Sequence, residues 1–117
     1  MKTWQDERCA WLALTMIPGL GSSVVKNLLE RFGEPRAVFE ARLADLLDIE
    51  GVRKETARRI VKRELVSDPE EELRRVEKCD ARIITYLDPS YPALLKEIHY
   101  PPMVLYIKGN DIPINHT

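Results

Sequence analysis

The sequence predicts an all-helical unit followed by the opening elements of an α/β domain. Two observations carry that reading. Apolar residues recur at helical spacing through most of residues 6–66, interrupted by two similar glycine turns. Past Ser67 the pattern changes to helix, strand, helix, strand, the order in which an α/β domain begins. The expected division is therefore a helical domain over residues 1–66 and the beginning of a second domain over residues 67–117.

The first helix is expected over residues 6–16. Ala10, Ala13, Leu14 and Ile17 share a face, Asp6 and Glu7 suit a positive N-terminus, and Pro18-Gly19 stops the helix. Ser22 or Ser23 is expected to cap a second helix. Val24, Val25, Leu28, Leu29 and Phe32 give that helix its buried stripe, and Gly33 ends it. Pro35 fits the first turn of a short third helix with Val38 and Phe39. Leu43, Leu46 and Leu47 mark a fourth, broken by Gly51. Residues 54–65 place Ala57, Ile60, Val61 and Leu65 on one face and Arg58, Arg59, Lys62 and Arg63 largely on the other.

In the second half, Asp68-Pro69-Glu70-Glu71 combines an N-cap, Pro at the first helical position and Glu at the third. The helix it starts is expected to reach about Lys78, with Leu73 and Val76 inward. Residues 82–86 and 103–107 read as strands, the second ended by Gly109, with a turn at residues 88–92 and a short helix over 93–98 between them. Two strands make an unstable sheet alone, so the chain is expected to stop inside its second domain.

Composition limits the function classes. The 117-residue chain carries a net charge of −1, so any nucleic-acid contact must rest on local charge. Residues 1–66 hold twelve Lys or Arg against ten Asp or Glu, and residues 67–117 hold six against nine. Cys9, Cys79, His99 and His116 are isolated from one another, so neither a metal site nor a cofactor is expected, and lone thiols fit a reducing cytoplasm. No apolar run is long enough to span a bilayer, and no membrane partner is expected. Asn115-His116-Thr117 matches a glycosylation sequon that the cytoplasmic expectation leaves unused. No nucleophile–base pair and no paired carboxylates are visible, and no catalytic residue is assigned.

The chemistry concentrates in residues 17–33, IPGLGSSVVKNLLERFG. A Walker-type loop needs four residues between its glycines and a preceding strand, and a dinucleotide fingerprint needs a third glycine where Val24 stands. Both fail. Helix, apolar residue, Pro, Gly-apolar-Gly, helix is instead the pattern of a helix-hairpin-helix. Its glycines allow a tight turn and close approach of a ligand, and the amides opening the second helix are natural partners for a phosphate oxygen. Leu20 would plug the hairpin into the core.

Residues 47–60 repeat that order. Gly51 lies 32 residues after Gly19, and Arg53 replaces the second glycine, exchanging backbone access for a cation. The prediction is a tandem helix-hairpin-helix (SAM-like) domain. It would hold DNA phosphates at Gly19, Leu20, Gly21, Ser22 and Lys26 in one copy, and at Gly51, Arg53, Lys54 and Arg58 in the other. No base-edge reader stands out, so binding should be weak and independent of sequence. The alternative is a protein-interaction or dimerisation module, favoured by the near-neutral charge and an apolar Trp4–Trp11 region. A DNA glycosylase shares the hairpin but needs a catalytic Lys or Asp downstream, and Asp68 reads as a helix cap instead. Tyr86, Tyr91 and Tyr106 read as half-buried packing residues before stacking platforms. Glu70, Glu71 and Glu72 read as a solvated helix start.

The order of elements also resembles the DNA-processing protein A (DprA/Smf) family. The residues carrying the resemblance are Trp11-Leu12-Ala13-Leu14 to Gly21, Phe32-Gly33, and Ala37-Val38-Phe39. More specific are residues 84–98, ITYLDPSYPALLKEI, and residues 101–109, PPMVLYIKG. The resemblance implies a helical N-terminal domain followed by a Rossmann-like domain, of which only the start would be present. It implies single-stranded DNA binding and help in loading RecA during natural transformation. The main single-strand site would follow a Val-Gly-Ser/Thr-Arg motif beyond Gly109, where this chain reads Asn110 to Thr117 instead. RecA contact and self-association would then fall mostly to a part not contained here, and residues 1–66 would be an accessory DNA-binding domain.

Overall fold

A computed structural model describes Trp4 and residues 6–108. Seven helices and two strands follow one another among the described residues: α1 (Glu7–Thr15), α2 (Ser22–Phe32), α3 (Pro35–Glu40), α4 (Leu43–Leu47), α5 (Lys54–Lys62), α6 (Pro69–Lys78), β1 (Ala81–Thr85), α7 (Ala93–Lys96) and β2 (Val104–Lys108). Gly109 and residues 110–117, which include the sequon, lie outside the described residues.

Helix α1 is the central element. Cys9, Ala10, Trp11, Leu12, Ala13 and Leu14 are all buried, because α3 packs on it from the helical unit and α6, β1 and β2 pack on it from the second half. One apolar core results. It joins Trp11, Leu12, Leu28, Val38, Leu46 and Ile60 to Leu73, Val76, Ile83 and Met103 without a break at residue 66. The Val66 amide also donates to Met16 O (3.0 Å). Trp4 and Trp11, 5% and 1% exposed, belong to this core. Of the two readings of Trp4 and Trp11, core or interface rather than stacking platform, the structure takes core, so the apolar Trp4–Trp11 region no longer favours an interaction module.

The local signals act mostly as expected. Asp6 caps α1 by accepting from the Arg8 amide, and Asp68 caps α6 by accepting from that of Glu70. Pro35 and Pro69 stand at the first turns of α3 and α6. Two expectations fail. Neither Ser22 nor Ser23 caps α2, since Gly21 is the N-cap and makes no side-chain bond. Arg63 does not share the open face of α5. It ends that helix in a left-handed conformation (φ 53°), and its guanidinium lies 5.3 Å from the Trp4 ring and 5.7 Å from that of Phe39.

The two strands pair antiparallel, with Ile83 opposite Tyr106 and Ile84 opposite Leu105. Ile83 faces the helical core, whereas Ile84 faces a small second cluster with Tyr91 and Ile107. Tyr91 is buried there and donates its hydroxyl to Pro102 O (2.7 Å). Lys96 Nζ stands 4.9 Å from the centre of the Tyr86 ring. Burial pushes the Tyr91 hydroxyl pKa up.

Candidate nucleic-acid interface

The two glycine turns are built alike. In the first, Met16, Ile17 and Leu20 amides donate to Ala13, Leu14 and Ile17 carbonyls; in the second, Asp48, Ile49 and Val52 donate to Asp45, Leu46 and Ile49. Every pair is offset by 32 residues. Gly19 (φ 82°) and Gly51 (φ 90°) take the left-handed conformation that makes glycine necessary at both positions. Gly21 (φ −84°, ψ 166°) and Arg53 (φ −86°, ψ 159°) are the equivalent N-caps of α2 and α5. Extended backbone suits any residue, which is why the second copy carries arginine there.

The copies also hold each other. Asn27 Nδ2 donates to Glu50 O, and Arg59, its equivalent, donates from Nη1 to Pro18 O, each at 3.1 Å. A Cβ added at Gly51 would lie 2.9 Å from Val24 Cγ2, and one at Gly19 would lie 3.9 Å from Thr56 Oγ1. Val24 and Thr56 are again 32 residues apart. Such reciprocal contacts are those of an approximate two-fold axis between the hairpins.

This arrangement gives one shared groove. A cavity of about 330 Å³ is lined by Gly19, Val24, Gly51, Arg53, Glu55, Thr56 and Arg59. Neither α2 nor α5 has a side-chain cap, so the amides of Ser22 and Ser23, and those of Lys54 and Glu55, are left without an intrahelical acceptor. Arg53, Lys54 and Arg58 are exposed around the α5 end, and Gly21 is exposed at the other.

Two predicted residues are placed differently. The Leu20 amide closes its own turn on Ile17 O (3.3 Å) and the side chain is half-buried against the core, so Leu20 shapes the hairpin and offers no amide. Lys26 lines a separate depression of about 240 Å³ with Leu29, Tyr86 and Leu87, although it is the positional equivalent of Arg58. Asn27, Thr56 and Arg59 are additions to the site. Superposing the sequence on itself at an offset of 32 is the signal that finds them.

Other depressions carry less chemistry. Glu7, Arg8, Trp11, Thr85 and Asp88 line one of about 310 Å³, where the Arg8 guanidinium already holds Asp6 (2.8 Å) and pulls that carboxyl below the usual aspartate range. Among the described residues no group of three His, Cys, Asp or Glu could hold a metal ion, and no helix is long and apolar enough to cross a membrane.

Comparison with known proteins agrees with the geometry. Residues 12–65 match the family described as SAM-like helix-hairpin-helix tandem, which spans both glycine turns. The chain is 31% identical over 104 residues to Protein Smf from Synechocystis sp., an alignment covering 89% of this chain. The chain thus resembles Smf over most of its own length. It spans about a quarter (26%) of the length of that Smf protein. No solved structure matches the chain significantly.

Proposed function

We propose that the chain binds DNA without sequence preference through the groove between its two hairpins. The observation that carries this reading is the convergence of Gly19, Gly51 and Arg53 on one groove, flanked by two uncapped helix N-termini. Amides of Gly21 and Ser22 would hold one phosphate region, and Arg53, Lys54 and Arg58 another. Lys26, on the α2 side, would contribute long-range attraction. Phosphate contacts position a protein on DNA and carry no sequence information, so affinity is weak and salt-sensitive.

The wider role is proposed from the likeness to Smf. The chain would serve as the accessory N-terminal part of a DNA-processing protein that binds single-stranded DNA and assists RecA loading in natural transformation. Residues 67–117 would begin its Rossmann-like domain. RecA contact and self-association would use mainly surfaces beyond this chain. In this reading the protein is not an enzyme and works in the cytoplasm.

The test is the backbone amide spectrum of the full chain during addition of a mixed-sequence oligonucleotide. Shifts should concentrate at residues 21–23 and 53–56. Shifts confined to α7 and the strands would overturn the reading. No DNA-dependent shift at all, together with salt-insensitive self-association, would favour a protein-interaction role instead, for which the exposure of Leu94 (59%), Ile98 (47%) and Tyr100 (65%) is the supporting observation.

A further inference from the structure

The two hairpins are alike in backbone but unequal in charge. Position 23, second in α2, is Ser; its equivalent 32 residues later, second in α5, is Glu55. The Glu55 carboxylate lines the shared groove and is already engaged. Its Oε1 accepts from Arg59 Nη2 at 2.9 Å and lies 3.8 Å from Arg58 Nη2. Arg59 is in turn fixed across the first hairpin by its bond to Pro18 O. An anion already sits among the cations of the second copy.

We propose that Glu55 is a built-in counter-anion of the hairpin groove, which holds Arg59 away from DNA phosphates, competes with them for the exposed Arg58 and sets the affinity low. The proposal rests on the groove being the DNA site. A phosphate approaching the α5 end meets a like charge in place of the neutral Ser23 that it meets at the α2 end. Binding at the second copy requires the carboxylate to leave Arg59, and the 61% exposure of its side chain leaves room for that movement. The first copy receives phosphate through amides, while the second contributes Arg53 and Lys54 until Glu55 is displaced.

The test compares oligonucleotide binding by the 117-residue chain and three variants, each verified by its melting temperature. Glu55→Gln should tighten binding by about 3- to 5-fold, with a salt slope steeper by roughly one released counterion. Ser23→Glu should weaken binding by a similar factor. Glu97→Gln makes the same charge change at the C-cap of α7 and should leave binding unchanged. Equal affinity of Glu55→Gln and wild type would overturn the role of Glu55 while leaving the DNA site standing. An equal gain from Glu97→Gln would reduce the effect to net charge and also overturn it. Absence of binding by wild type and Glu55→Gln alike would overturn both the site and the counter-anion.

Discussion

Asn27 and Arg59 occupy equivalent positions in the two hairpins, and each donates a 3.1 Å hydrogen bond to the carbonyl just before the other hairpin's glycine. This reciprocity turns two copies of a short motif into one surface. The cross-bonds fix the separation of the α2 and α5 N-termini, and therefore of any two phosphates they hold. Replacing either residue by Ala should cost about 1 kcal/mol for Asn27 and about 1.5–3 kcal/mol for the charged Arg59. Urea unfolding of the two single variants measures both.

The glycines predict a sharper contrast. Gly51 has a positive φ and no room for a Cβ, because Val24 is β-branched and stiff within α2. Gly51→Ala should destabilise the fold by about 1–3 kcal/mol. Gly21 has extended backbone and open space around the would-be Cβ. Gly21→Ala should change stability by less than about 1 kcal/mol, because the gain through the unfolded chain is opposed by the poor fit of Ala as an N-cap. Thermal melting of the two variants should rank them in that order.

Helix α1 makes the two halves of the chain interdependent. Leu73 of α6 lies in the same core as Leu28 of α2. Both Leu28→Ala and Leu73→Ala should lower the midpoint of one common transition, with Leu28→Ala costing about 2–5 kcal/mol of stability. Amide exchange resolves this, since a common core lowers protection in α2 when Leu73 is truncated.

Acid sensitivity has identifiable sources. Hydrogen bonds from Arg8 lower the pKa of Asp6, and those from the Ser90 amide and hydroxyl lower that of Asp88. Folded values below the unfolded value of about 3.9 mean that their contribution is present above it and lost as pH falls through the folded pKa. Stability should therefore decline on acidification below about pH 4. Asp6→Asn and Asp88→Asn should flatten that decline.

Much of this was legible in the sequence because the signals are local. Pro35, Pro69 and Asp68 specify helix starts through their own backbone preferences, and the Gly19–Gly51 repeat specifies two turns. The misplaced features depend on tertiary context. Capping by Ser22 fails because Gly21 adopts the N-cap conformation one residue earlier. Arg59 and Arg63 read as exposed cations, yet one reaches the first hairpin and the other covers Trp4 and Phe39. The burial of the whole inner stretch of α1 is set by α6 and the strands, which its own helical periodicity does not report.

The proposed DNA site consists of exposed cations and amides at the hairpin groove. Its most direct measurement is a salt titration of oligonucleotide affinity, for wild type and for the Arg53→Glu, Lys54→Glu, Arg58→Glu variant. With about three or four phosphate contacts, log K for wild type should fall against log salt with a slope of about −2 to −4. The variant should melt like wild type and lose most of both affinity and slope. A folded variant that binds DNA with unchanged affinity and slope would contradict the account.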